Sequence, residues 1–439
     1  MRKIITSLLF ASMAIAASAG NPWTLSQCID YALEHNIAVK QGEINVRQNE
    51  ISLNTAKFSR LPGVNASASE NFSFGRSTKS DNTTGSGDMA QSNFSIGVDV
   101  PVFQGFQIKH NIAVSKLNLA AATADLDKAK DDIRIAVAKA YVTILYNKEI
   151  LKVAESQTAI DEMHVSRLED MYATGKASAA QVAQQKAALA QSRYQETQAT
   201  NNLKLAVLDL TQLLELDEPE GFDVVAPADE ATALRLTGSA EDIYASAVTE
   251  KPSILAEQAR LGAAKSKIGV AKSYLYPNIS LSGGMGSDFF YVPGKKVKTP
   301  FFTQLNDYLH QYVGLSLSIP VFSRFQIRNG IRSAKLGYES QNLQLDNARK
   351  ALYKEIQQAW YGAVASRDRF LSSEEVKRSA ETSFELVNAK YEAGKATITE
   401  FNEAKNTLMK AEADLAQARY EHMFQTRLLD FYKGEEIDF

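Results

Sequence analysis

The sequence predicts a mainly α-helical chain that also carries transmembrane β-strands, with an internal two-fold repeat and, in each protomer, four strands and long coiled-coil helices. Three observations predict it: segments that recur at one fixed offset, strands in strict apolar-polar alternation, and a stretch from Gly105 to about Met171 with no proline or internal glycine.

The repeat comes first because it sets the organisation. Val98-Asp99-Val100-Pro101-Val102-Phe103 reappears as Leu317-Ser318-Ile319-Pro320-Val321-Phe322, 219 positions later. At the same offset Phe106-Gln107-Ile108 becomes Phe325-Gln326-Ile327, Ala140-Tyr141 becomes Ala359-Trp360, and the tyrosine, glycine and lysine of Tyr172, Gly175 and Lys176 return as Tyr391, Gly394 and Lys395. One register held over about 75 residues is the mark of duplication. The repeats span about 20–216 and 240–433, joined by a 217–239 linker and followed by a 434–439 tail.

Each repeat has the same order of elements. A short helix (about 24–34 and 240–249) precedes a longer one (about 37–60 and 253–275) that stops near Pro62 or Pro277, because proline cannot extend a helix. Two strands follow, at about 63–75 and 92–102 in the first repeat and 277–287 and 311–321 in the second. A very long helix (about 105–171 and 324–390), a Gly-Lys turn and a second long helix (about 177–215 and 396–432) complete the unit.

The strands are read from period two. Phe94, Ile96, Val98 and Val100 alternate with Ser95, Gly97 and Asp99, and Val313, Leu315, Leu317 and Ile319 with Gly314, Ser316 and Ser318. Val64, Ala66 and Ala68, and Ile279 and Leu281, repeat the habit more weakly. The polar segments Arg76 to Gln91 and about 288–311 read as exposed loops. About ten residues per strand suffice to cross a bilayer at a tilt of about 45°. Four strands cannot close a barrel, and hydrocarbon tolerates no open edge, so copies must share one. Two copies would enclose only side chains, whereas three give twelve strands and room for a pore.

The long helices, about 66 residues at 1.5 Å each, reach roughly 100 Å. Ile133, Val137, Ala140, Ile144, Leu151 and Ala154 form a narrow heptad stripe, matched by Leu352, Ile356, Ala359, Ala363, Phe370 and Ser373. Such a stripe fits helices packed side by side with their other faces wet.

Arg2 and Lys3, the apolar run Ile4 to Ala17 and the small-x-small site Ala17-Ser18-Ala19 read as a secretory signal peptide, residues 1–19. Cys28 is the only cysteine and is read as a plain helix residue, so stability comes from packing rather than from disulfides. A net charge of -3 with 23 % charged residues argues against nucleic acid as a partner.

Duplicated halves, paired strands ending in Pro-Val-Phe, and Tyr-x-x-Gly turns joining long helices resemble the TolC-like outer-membrane efflux proteins over nearly the whole mature chain. The resemblance implies a TolC-like homotrimeric α/β-barrel in outer-membrane lipid, a helical barrel crossing the periplasm, and an equatorial belt that includes the linker. It also implies partners: a periplasmic adaptor (membrane fusion) protein and an inner-membrane pump or ABC transporter. The function implied is a passive exit duct gated at the periplasmic helix tips. There Glu400 and Glu403 take the place of the family's entrance carboxylates, with Gln181 and Gln184 at the matching first-repeat positions. Tyr172, Gly175, Lys176, Tyr391, Gly394 and Lys395 form the tip turns, the lysines being candidate adaptor contacts. The arginine and aspartate that lock some family members are here Ala396 and Gln181, so that lock does not carry over.

No catalytic, cofactor-binding or metal site is expected. There is no His-Glu-x-x-His or phosphate-binding loop, and the histidines at 35, 110, 164, 310 and 422 lack metal-ligand spacing. The competing reading is a secreted or surface coiled-coil adhesion protein.

Overall fold

The computed structural model describes residues 22–78, 84–86, 88–226, 238–292, 297 and 299–437. The signal peptide expected at 1–19 and about half of the 217–239 linker lie outside the described residues. The chain forms two compact units. One gathers the described residues up to Gly42, Leu126–Lys251 and Arg349 onward; the other takes Glu43–Asp125 and Pro252–Ala348. Each unit therefore draws on both repeats.

The elements follow the repeat. Helices α1 (Leu25–His35) and α2 (Ile37–Phe58) lead to strand β1 (Gly63–Ser73), the short strands β2 (Arg76–Thr78) and β3 (Thr84–Ser86), and β4 (Met89–Gln104). Helices α3 (Gln107–Ala173) and α4 (Ala179–Leu213) close the first repeat. The second runs α5 (Ala240–Glu250), α6 (Pro252–Ser273), β5 (Asn278–Tyr291), α7 (Phe301–Asp307), β6 (His310–Ser318), α8 (Gln326–Glu392) and α9 (Ile398–Lys433). Both α3 and α8 have 67 residues. Among the described residues no helix is long and apolar enough to cross a membrane.

The second unit holds the sheet, antiparallel in the order β1-β4-β5-β6. The pairing Ala66↔Ile96, Ile96↔Met285 and Leu281↔Leu315 brings the alternation of all four strands into phase. One face collects Val64, Ala66, Phe94, Ile96, Val98, Leu281, Met285, Val313 and Leu315. The other collects Asn65, Ser67, Ser95, Gly97, Ser282, Gly284, Gly314 and Ser316. Among the described residues the outer strands β1 and β6 have no further strand beside them.

The two proline motifs behave differently. β4 passes Pro101 with a register shift between Pro101 and Phe103, while β6 ends at Ser318, before Pro320. β1 pairs only as far as Asp99, so Pro101 stands at a local edge of the sheet and at the register shift, the positions where a strand tolerates proline. β6 stops where its partner begins, at Asn278↔Ser318.

The segments expected to be loops carry structure. Residues 76–91 include the β2–β3 pair and the start of β4, and 288–311 include the end of β5, α7 and the start of β6. α7 is held by side chains that cap backbone groups. The Ser287 hydroxyl donates to Leu305 O at 2.6 Å, while Gln304 accepts from Phe290 N at 3.0 Å and donates to Phe290 O at 3.2 Å. Phe301 sets its ring edge-on to Phe94 and Phe289, at 6.0 and 4.9 Å. Period two does not register such contacts.

In the first unit the expected heptad stripe is buried at Val137, Ile144, Ile356 and Ala363. Val137 and Ile144 join Leu25, Cys28, Ala32, Leu210, Leu214 and Val224 in one core. Burial pushes the Cys28 thiol up to about 12, so it stays protonated and unreactive.

Candidate functional site

The helix tips of the first unit bring together the residues singled out by the sequence. At the first tip Gly175 takes φ 74°, its N–H bonds to Tyr172 O at 2.9 Å, and Lys176 N–H bonds to Met171 O at 2.8 Å. The second tip repeats this with Gly394 at φ 70°, Gly394 N–H to Tyr391 O at 3.0 Å and Lys395 N–H to Lys390 O at 2.8 Å. This pair of bonds is the Schellman ending of a helix, and it needs a left-handed residue after the cap. A Cβ at either glycine would meet nothing within 4 Å, so the demand is conformational. Gly175→Ala or Gly394→Ala is expected to cost roughly 1–2 kcal/mol, read as a lower thermal midpoint.

Each following helix opens with a reciprocal cap. Ser178 N–H donates to Gln181 Oε1 at 2.8 Å while Gln181 N–H donates to Ser178 Oγ at 3.2 Å. Thr397 and Glu400 do the same at 2.7 and 3.2 Å, and Thr397 Oγ1 also donates to the Glu400 carboxylate at 2.9 Å. Those bonds, the backbone one first, hold Glu400 below the usual carboxylate range, with Lys390 adding to it. Gln181 and Glu400 are thus helix caps whatever else they do. The pattern Ser/Thr-x-x-Gln/Glu at 178–181 and 397–400 carries that information in the sequence, beside the spacing of these residues from the tip glycines. Glu403 lies one turn on and is exposed, and Gln184 Nε2 reaches Thr399 Oγ1 across to the second hairpin at 3.5 Å. Lys176 and Lys395 are exposed at the turns. The two tip tyrosines differ: Tyr172 is exposed, whereas Tyr391 stacks on the buried Phe401 at 5.0 Å.

Behind the tips lies a cluster that sequence reasoning missed. Asp161 of α3, 0 % exposed, forms an ion pair with Lys405 of α9, 3 % exposed. The same carboxylate accepts from Gln185 Nε2 at 2.8 Å, Ser192 Oγ at 2.5 Å and Gln157 Nε2 at 3.1 Å. Asn402 Nδ2 donates to Gln185 Oε1 at 3.4 Å. A signal existed: Asp161 sits in the heptad stripe between Ala154, Val165 and Leu168, which are all buried, and a charge at such a position needs a partner.

His164 packs beside this cluster, 4.4 Å from the Phe401 ring. Burial pushes it below the usual imidazole range; Arg167 and Lys405 add to this, and Asp161 and Glu392 oppose it. The unfolded chain therefore takes up the proton first as pH falls through about 6.5, so this contribution is complete above that value and is lost toward the folded value. The thermal midpoint is expected to drop between pH 7.5 and pH 5.5, and His164→Phe should remove part of that drop.

In the second unit, aromatic rings mark both ends of the sheet. Phe103 meets Phe106 at 5.3 Å and Phe322 meets Phe325 at 5.8 Å where the strands adjoin α3 and α8. At the other end Phe289, Tyr291, Phe301 and Phe302 form a continuous cluster, and Phe290 packs on Tyr308 at 5.2 Å. The apolar face lies between, with Val313 84 % and Leu315 70 % exposed. Paired aromatic bands around an apolar belt are the surface of a strand assembly seated in a bilayer.

Comparison with known proteins gives concordant results. The model of the family described as outer membrane efflux protein matches residues 28–215 and 243–427, one match in each repeat. The outer membrane efflux protein BepC of Brucella suis biovar 1 is 21 % identical over 419 residues, covering 95 % of this chain and 87 % of that protein. The outer membrane protein TolC of Escherichia coli is 22 % identical over 440 residues, covering 96 % and 84 %. The crystal structure of the outer membrane protein VceC of Vibrio cholerae superposes with a TM-score of 0.77 at 18 % identity, covering 94 % of this chain and 97 % of that one.

Proposed function

Because this chain belongs to the outer membrane efflux protein family, whose members are outer-membrane channels extending into the periplasm and working with an adaptor and an inner-membrane pump, we propose that three copies close one twelve-stranded barrel gated at the helix tips. The adhesion-protein reading falls with that membership, as does an enzymatic one, since the family transports.

The observation that carries the trimer is the in-phase sheet with two free edges. Its apolar face calls for lipid, its small polar face suits a watery lumen, and β1 and β6 each need a strand from another copy. Apolar helix positions agree with this: Ile44, Ile51 and Phe58 on α2, and Leu336 and Leu343 on α8, are exposed at heptad spacing. The duplicated halves then act as the repeating structural units, and the described ends of the linker, 217–226 and 238–239, join the belt. Light scattering of the detergent-purified protein should give the mass of three chains; a stable monomer would sink the reading.

At the tip, Glu400 and Glu403 bring six carboxylates around the axis of three copies, with Gln181 and Gln184 adding polarity, so the entrance favours cations. Lys176 and Lys395, beside Tyr172, Gly175, Tyr391 and Gly394, offer exposed turns to the adaptor. Glu403→Gln, which spares the cap made by Glu400, should lower the preference for K⁺ over Cl⁻ in planar bilayers by roughly twofold or more. An unchanged reversal potential would remove Glu403 from the gate.

A further inference from the structure

We propose that α7 and the apolar groove beside it form a seat for an acyl chain of a membrane lipid, on the outward face of the sheet at the end where β5 finishes. The inference rests on the reading above that the apolar face meets lipid.

The sheet leaves a gap that α7 fills. β1 pairs with β4 along its whole length, whereas β5 runs beside β4 to Tyr291 but beside β6 only to Gly286. From Ser287 to Tyr291 one edge of β5 therefore lacks a strand. The buried Gln304 of α7 takes the strand's place: its side-chain amide accepts from Phe290 N–H at 3.0 Å and donates to Phe290 O at 3.2 Å, the two bonds that a paired residue would exchange. The Ser287 hydroxyl fastens the helix further, donating to Leu305 O at 2.6 Å. Water would satisfy such an edge unaided, but hydrocarbon cannot, so a side chain that closes it fits lipid alongside.

α7 also has the surface for that contact. Phe301 rests against Phe94 and Phe289 of the apolar face, while Phe302, 81 % exposed, and Leu309, 50 % exposed, are left uncovered. Thr303, Asn306 and Asp307 make a polar side. An apolar flank beside a polar one is how a helix lies at a membrane interface. Leu309 then joins Ala66, Ala68, Phe94, Ile96 and Met285 in lining a groove of about 500 Å³ on the sheet. The lining is almost wholly apolar, and two alanines leave room where their neighbours carry larger side chains. Such a groove suits a methylene chain and gives a polar ligand nothing to bond. It is continuous with the lipid belt, because Ile96 and Met285 are paired residues of the apolar face.

The test puts a fluorescent label on single cysteines of the full-length protein, folded into phosphatidylcholine vesicles whose acyl chains carry a nitroxide quencher. Phe302→Cys, Val313→Cys and Ser316→Cys are compared on a Cys28→Ser background. Val313 reports the apolar face and Ser316 the polar one. Quenching of the Phe302→Cys label should lie within about twofold of the Val313→Cys label and roughly threefold or more above the Ser316→Cys label, with aqueous iodide giving the reverse order. Native mass spectrometry then counts the dipalmitoyl phosphatidylcholine that each protein retains. Ala66→Phe, which fills the groove, should retain ~fivefold less than wild type, the loss expected from excluding one or two methylenes. Val98→Phe, on the same face outside the groove, should retain as much as wild type. Quenching of the Phe302→Cys label by iodide in place of lipid overturns the proposal. So does shielding from both quenchers, which would put a second copy over the helix, and so does retention that Ala66→Phe leaves unchanged or that Val98→Phe lowers equally. If the Val313→Cys label also escapes the lipid quencher, the lipid reading of the whole apolar face fails; if only the Phe302→Cys label escapes, that reading stands and the acyl-chain seat alone falls.

Discussion

Leu315→Lys is expected to prevent stable insertion of this protein into the outer membrane, whereas Ser316→Lys, one residue along the same strand, should insert and assemble. The difference follows from the pleat. Leu315 shares the apolar face with Leu281, opposite which it pairs, and is 70 % exposed in the single chain; Ser316 pairs with Ser280 on the polar face. A lysine near the middle of the lipid belt costs about 2–4 kcal/mol in a transmembrane barrel, and every copy that the proposed ring contains suffers it. On the lumen side the same ammonium remains hydrated. Urea titration of the protein folded into lipid vesicles measures the cost, and outer-membrane fractionation of cells reads the outcome. Equal tolerance of the two lysines would mean that the apolar face is not the lipid face.

The second large effect is expected at Lys405. Removing one partner of a buried ion pair typically costs about 3–5 kcal/mol, because the charge that remains has neither water nor counter-ion. Lys405→Met leaves Asp161 with only the neutral donors Gln157, Gln185 and Ser192, so a loss near the upper half of that range is expected. Asp161→Leu/Lys405→Met should recover most of it, since apolar replacements of similar volume often match a buried pair. Thermal denaturation of the three proteins side by side gives the comparison. A double variant as weak as the single one would show that packing and not stranded charge dominates.

Much of the architecture could be read directly from residue order. The offset linking Pro101 to Pro320 and Gly175 to Gly394 announced the duplication, and alternation located β4 and β6 because each apolar side chain on a strand faces one way. What escaped depended on pairs far apart in the chain. α7 exists because Gln304 and Ser287 satisfy backbone groups across the loop, and Asp161 meets Lys405 across 244 positions. A charge in a heptad stripe signals that a partner exists but not which helix supplies it. Family resemblance singles out the tip residues, and their capping role is written in a local four-residue pattern that a carboxylate's presence alone does not reveal. The extra length of β4 past Pro101 rests on its pairing with β5 at Ile279 and Asn278, which no single strand encodes.

The order of the sheet has one further consequence. The seam between β4 and β5 is where the two repeats meet, and it lies within one covalent chain. A single repeat contributes two strands to this sheet, so the proposed ring of twelve, built from unfused repeats, would have needed six separate molecules to find one another. Fusing the halves turns every second encounter into an intramolecular one, with a high effective concentration supplied by the linker. On the three-copy reading proposed above, closure then varies with the third power of chain concentration instead of the sixth.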